Sequence, residues 1–127
     1  MAYQFHKHYT REEARALLPQ LREWLCQLSD LRAELERLEK RLNALMAPGR
    51  DLGGSLVNAW IKAHIDLRAV LLEFHDREIQ VKDLERGLLD FPCLMDGKEV
   101  FLCWEQAEED IEFWHELDTG YPGREPL

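Results

Sequence analysis

Apolar residues recur in a long three-four rhythm through the first third of the chain. Leu17, Leu21, Trp24, Leu28, Leu31, Leu35, Leu38, Leu42 and Leu45 alternate steps of four and three. That spacing keeps them on one side of an α-helix and forms an a/d heptad seam. Thr10 stands just before the pattern and Glu13 three residues later, a capping box that predicts the helix start. Pro19 lies inside the pattern and lacks a backbone donor, so a kink or restart is expected there. Leu18 and Leu25 widen the apolar face early on, whereas Arg32 and Glu39 take the equivalent places further along. The early part is therefore expected to pack on two sides and the distal part only along a seam. At the usual rise per residue the element reaches about 55 Å.

Pro48-Gly49-Arg50-Asp51-Leu52-Gly53-Gly54 reads as a loop. A second helix follows from about Ser55 to Arg77, on Val57, Trp60, His64, Leu67, Leu71 and Phe74, with Ile61 and Leu72 in support. The short connection predicts an antiparallel hairpin. His64 falls on the apolar stripe and reads as a hydrogen-bonded core or interface histidine.

The period changes elsewhere. Tyr3, Phe5 and Tyr9 share one parity, which predicts a short half-buried strand with His6 and His8 on its other face. Ile79–Asp83 reads as a strand and Leu84–Asp90 as a turn around Gly87. Phe91–Met95 and Val100–Trp104 flank Asp96-Gly97, a strong two-residue hairpin signal. That turn sets Cys93 opposite Val100, Phe91 opposite Leu102 and Cys103 opposite Asp90. Phe91, Cys93, Met95, Val100 and Leu102 then share the core face, and Cys103 the other. Glu105–Leu117 reads as a short acidic helix with Ile111 and Trp114 on one side, and 118–127 as an irregular tail. The fold class is α+β: a long antiparallel, coiled-coil-like helical hairpin, a small antiparallel sheet and a short C-terminal helix. We treat 1–127 as one domain, with the hairpin at about 10–77 and a cap formed by 1–9 and 78–127.

The formal net charge of −9 is unevenly spread. Residues 1–77 carry 12 Lys/Arg and 11 Asp/Glu, whereas 78–127 carry 4 and 14. An acidic cap repels phosphate backbones, which argues against nucleic acid. It attracts cations: a metal, an amine or a basic protein partner. It also serves ordinary solubility. Three cysteines and no signal-peptide pattern imply a reducing, cytoplasmic setting, and no apolar run suggests a membrane span.

No motif identifies a reaction. The candidate functional cluster is Asp83, Glu85, Asp90, Glu108, His115 and Arg124. Asp90, Glu108 and His115 together offer ligands for a divalent ion such as manganese, iron or zinc, or a general base pair. Glu112 and His115 have the Glu-x-x-His spacing of dimetal bundles, but those need two such motifs and only one is present. The plainer alternative is a histidine making local salt bridges on an acidic helix. His6 and His8 offer a weaker ligand pair. Neighbouring acids are expected to blunt Cys103 as a nucleophile, and Cys93 reads as core. Arg124 reads as a partner for cap carboxylates.

Several segments together resemble a known family. They are Thr10-Arg-Glu-Glu-Ala14 with Leu17-Leu18-Pro19, Val81-Lys82-Asp83 through Asp90-Phe91-Pro92, Leu102-Cys103-Trp104, Trp114-His115 and Gly120-x-x-Gly123-Arg124-x-Pro126. The chain resembles, over nearly its whole length, the bacterial family of unknown function numbered 2203. Members often have glycine where this chain has Glu78 and Ala107, and Glu112 is outside the shared pattern. The resemblance therefore implies a small bacterial cytosolic protein, moves weight from Glu112 to Asp83, Asp90, Glu108, His115 and Arg124, and carries no activity.

The leading expectation is a homodimeric structural or interaction protein, associating through Leu28, Leu31, Leu35, Leu38, Leu42 and Leu45. The alternative is a metal-binding protein or metal-dependent enzyme built on the cap carboxylates and His115.

Overall fold

The computed structural model describes residues 2–46 and 54–127. Of the expected loop Pro48–Gly54, residues 48–53 lie outside them and Gly54 belongs to the second helix. Helix α1 spans Arg11–Met46 and α2 spans Gly54–Asp76. Five strands follow: β1 (Gln80–Asp83), β2 (Leu88–Met95), β3 (Lys98–Trp104), β4 (Phe113–Glu116) and β5 (Glu125–Pro126). They form one antiparallel sheet in the order β1-β2-β3-β4-β5. No described helix is long and apolar enough to cross a membrane.

The start of α1 follows its capping box. The Glu13 amide donates to Thr10 Oγ1 at 3.1 Å, and the Thr10 amide donates to Glu13 Oε1 at 2.9 Å. The exchange satisfies two donors that a helix start leaves free, and Glu13 is held below its usual carboxyl range chiefly by the Thr10 amide. The helix continues through Pro19 as one element. At the same end of the hairpin the backbone leaves α2 through a left-handed residue, Glu78 (φ 58°). The Ile79 amide reaches back to Phe74 O and the Glu78 amide to His75 O, which is a Schellman closure. Glu78 also accepts hydrogen bonds from the amides of His6 and Lys7.

The core has two parts. Near the sheet, Ala14, Leu18, Leu21, Leu25 and Leu28 of α1 meet Phe74 and Ile79 and the helix-facing side of the sheet. That side carries Leu89, Phe91, Cys93, Val100, Leu102 and Trp104. Further out, Leu35, Leu38 and Leu42 pack only against α2, on Leu56 and Ala63 with Val57 and Trp60 alongside. The expected two-sided and one-sided regimes of α1 are both present. Of the six leucines expected to bridge two chains, Leu28, Leu35, Leu38 and Leu42 are buried within this one, and Leu31 and Leu45 are half-buried.

Helix α2 is rotated from its expected register. Leu56, Ala63 and Phe74 are its buried positions, with Leu67 and Val70 beside them. His64 and Leu71 are exposed. Ala63 takes the central buried place on this line, and Ile61, Ile65 and Leu72 are exposed.

The hairpin between β2 and β3 has the expected register. Cys93 pairs with Val100, Phe91 with Leu102 and Asp90 with Cys103. Asp96 and Gly97 both have positive φ (53° and 79°), as a type I′ turn requires. Two other expectations are corrected. Residues 3–9 form no strand. The Tyr9 amide donates to Pro92 O, but proline has no N–H to return, so no ladder forms. Glu99 holds this segment instead, accepting from the Gln4 and Phe5 amides and pairing with His8 at 2.7 Å. Burial alone would raise the Glu99 carboxyl, yet His8 and those two amides bring it below its usual range. His6 points to solvent, so the two imidazoles diverge.

The expected helix at Glu105–Leu117 is also absent. Its first half is irregular and its second half is β4. Glu108, Glu109, Asp110 and Glu112 crowd like charges that a helix would place on adjoining turns. Side chains also take the backbone donors. Glu108 Oε1 accepts the Glu105 amide, and Asp110 Oδ1 accepts the Ile111 amide. Arg22 of α1 ties down the carbonyls of Gln106 and Glu108. The only helical turn beyond β4 among the described residues is a short 3₁₀ segment, Tyr121–Gly123.

Gly87 adopts φ +65° beside this loop, where an added Cβ would stand 2.7 Å from Gln106 Cβ. Gly87→Ala combines strain with a clash and is expected to cost about 1–3 kcal/mol. Thermal unfolding of the two proteins checks it, and an unchanged midpoint would show that the turn adapts freely.

Candidate functional site

Strand alternation builds a second, smaller buried layer on the side of the sheet away from the helices. Leu89, Phe91, Leu102 and Trp104 face α1, so Asp90, Phe101 and Cys103 face the other way. Strand β4 adds His115, paired across from Phe101, on that same side. The segment after β4 folds back over this layer, so Leu117 and Tyr121 also line it.

Asp90 and His115 are each only 2 % exposed. His115 Nε2 lies 3.0 Å from Asp90 Oδ2, and Nδ1 lies 2.7 Å from the Glu116 carbonyl oxygen. A carbonyl only accepts, so Nδ1 carries a hydrogen and Nε2 is the nitrogen turned toward Asp90. A proton shared between Nε2 and Oδ2 would complete that contact and leave the pair neutral. Asp90 Oδ1 is buried and has no hydrogen-bond partner. Burial pushes the Asp90 carboxyl up, against the opposing pull of His115, Lys82 and the neighbouring Cys103 thiol.

Cys103 completes the group. One ligand atom each from Asp90, Cys103 and His115 lie within 4.8 Å of one another. Burial, aided by the Asp90 charge, pushes the thiol up to about 12 despite nearby Arg124. The cluster borders a cavity of about 260 Å³, with Lys82, Phe101, Leu117 and Tyr121 among its walls. Phe101 leans on the His115 ring at 5.5 Å, and Phe5 of the N-terminal segment packs on Phe101 at 5.4 Å.

A family model described as uncharacterized conserved protein (DUF2203) matches residues 7–127, which include every residue of this cluster. The chain belongs to the DUF2203 family. Nothing among curated proteins or solved structures matches it. Within this DUF2203 chain, the structure brings together only some of the residues singled out by sequence. Asp90 and His115 meet. Glu108 instead pairs with Arg124, whose Nη1 stands 3.8 Å from Cys103 Sγ, so both border the cluster without joining it. Arg124 also stacks on Phe113 and Tyr121, fastening the C-terminal segment over the layer. Asp83 caps its own turn by accepting the Arg86 amide. Glu85 is exposed, 3.7 Å from Arg32. Glu112 and His115 sit on extended backbone, so the i, i+3 helical pairing does not arise. Cys103 lies opposite Asp90, as the hairpin register predicts. The missing signal was the strand character of Phe113–Glu116, which brings His115 to the same side.

Proposed function

We propose that this protein binds a divalent transition-metal ion, zinc above all, through Asp90, Cys103 and His115, with a further coordination position open to the adjoining cavity. The observation that carries the proposal is the unpartnered, buried Asp90 Oδ1 beside an oriented imidazole and a thiol. A buried acceptor without a donor costs about 1–3 kcal/mol, which a cation would recover. The His115 Nδ1–H bond to a backbone carbonyl is the support that metal-binding histidines usually have, and it aims Nε2 at the other two groups. Mixed nitrogen, sulfur and oxygen donors suit zinc.

Charge balance favours the same reading. The metal-free group is neutral with the bridging proton and the thiol proton in place. A dipositive ion displacing both leaves the site neutral again, so no net charge is buried on loading. Cys103 therefore takes the place first expected for Glu108, which Arg124 holds. Bound zinc supplies a Lewis acid, and Lys82 and Tyr121 on the cavity wall suit a small anionic ligand.

Elemental analysis of untagged protein purified without chelator is expected to find about one zinc per chain. His115→Ala and the near-isosteric Cys103→Ser are each expected to lose it. Cobalt substitution is expected to give a thiolate charge-transfer band that Cys103→Ser lacks. A wild-type protein that takes up neither ion in titration, or zinc retained in both variants, overturns the reading.

A further inference from the structure

Lys82 stands apart from the other cations of the cap. Residues 78–127 carry 14 Asp/Glu against only 4 Lys/Arg. Arg86 pairs with Glu105, Lys98 with Glu116 and Arg124 with Glu108, which leaves Lys82 alone without a carboxylate partner among the described residues. In so acidic a region an unpaired cation is conspicuous.

The backbone singles out the same residue. Val81 pairs with Leu89 and Asp83 with Leu88, so Lys82 is an extra residue bulged out of the β1–β2 ladder. A bulge re-aims a side chain, and bulges gather beside functional sites. Here the side chain goes to the far side of the sheet, where Nζ lies 5.4 Å from the Phe101 ring centre. Lys82 thereby lines the same cavity as Asp90 and His115. Leu88, Phe101, Leu117 and Tyr121 are further walls. The Tyr121 hydroxyl donates to Glu105 Oε1 at 3.4 Å, so Lys82 is the charged donor left facing the space.

We infer that the open metal position takes a small monocarboxylate, whose second oxygen accepts from Lys82 Nζ and whose short apolar body lies against Leu88, Phe101 and Leu117. The inference rests on the zinc reading above and names the ligand class of that site. Charge selects the head group. Zinc with the Asp90 carboxylate and the Cys103 thiolate is neutral, so Lys82 leaves the cavity with one positive charge in excess. A monoanion cancels it, whereas a dianion or an amine would bury a net charge. Volume and polarity select the body. About 260 Å³ is below the roughly 300–1,000 Å³ of sites for drug-sized ligands, and three walls are hydrocarbon.

The test is titration of the cobalt-loaded protein with sodium propanoate, followed in the visible spectrum. Propanoate is expected to shift the cobalt bands saturably, with a dissociation constant on the order of 1 mM, and propanamide to leave them unmoved. Lys82→Met is expected to weaken propanoate binding by roughly 10- to 100-fold, through loss of one charge-assisted hydrogen bond. Lys62→Met, the same charge change on α2, is expected to alter nothing. Lys82 is exposed on an edge strand, so far-ultraviolet circular dichroism and the thiolate band are expected to be those of the wild type. A thiolate band with cobalt bands that propanoate does not move overturns the inference and leaves the metal reading standing. So does equal affinity in wild type and Lys82→Met, or inorganic phosphate binding more tightly than propanoate. A wild type with no thiolate band overturns both.

Discussion

His115→Ala alone is expected to destabilise the metal-free protein by about 3–5 kcal/mol, more than replacing His115 and Asp90 together with leucine and valine. The single change removes the partner of a carboxyl group that is 2 % exposed. Asp90 Oδ1 already lacks a donor, so both oxygens would then be stranded. Burying an uncompensated carboxylate costs more than the pair itself contributes. Two apolar residues of similar volume leave only the Glu116 carbonyl without its donor, so Asp90→Val/His115→Leu is expected to unfold closer to the wild-type denaturant concentration than His115→Ala does. Urea titration of the wild type, Asp90→Val, His115→Leu and the double variant, in chelator, gives the coupling directly, with His115→Ala titrated alongside. Additive effects would mean that the two side chains do not share a proton. With zinc in place of chelator, the wild type alone is expected to gain stability.

Trp104→Ala is the second large effect, expected at about 3–5 kcal/mol by urea unfolding. That is a large part of the roughly 5–15 kcal/mol that holds a small domain folded. Trp104 is 0 % exposed and belongs to the core shared by α1 and the sheet. Its indole N–H donates to Glu108 O at 2.9 Å, and the Arg22 guanidinium lies 4.9 Å from the ring centre. Arg22 also binds the Gln106 and Glu108 carbonyls. The ring therefore holds together helix, strand and the acidic loop. Trp104→Phe keeps most of the volume and is expected to lose less than half as much. Equal losses for the two variants would show that the hydrogen bond, not the packing, dominates.

Much of this frame was legible because local rules decided it. The Thr10–Glu13 box, the leucine rhythm and Asp96-Gly97 each act over a few residues, and the turn alone placed Cys103 across from Asp90. The rest depended on distant partners. Whether residues 105–117 coil into a helix is decided by Arg22, more than 80 residues away, and by carboxylates that bond amides in place of helix carbonyls. On α2, Val57, Trp60, Leu67 and Phe74 pack as expected, but the buried line is turned toward Leu56, Ala63 and Val70 and away from His64 and Leu71, a small rotation that periodicity alone does not resolve. The N-terminal segment alternated like a strand, but its available edge offered Pro92 and hence no ladder. Glu78 hid a left-handed helix end that glycine would have announced. The metal reading picked Asp90 and His115 from residue type. Glu108 joins that expected set on a helix that does not form, since residue 108 lies in the irregular stretch before β4.

The strand order of the sheet has a kinetic consequence. Every strand pairs with its neighbour in the sequence, so residues 80–126 can assemble by successive short loop closures. The bond from Arg11 to the Ile111 carbonyl spans 100 positions, and that from Arg22 to Glu108 spans 86. The ordering entropy of folding is therefore concentrated in one event, the landing of α1 on a meander that has already paired. Refolding speed should respond to changes at that landing surface far more than to changes in the strand turns.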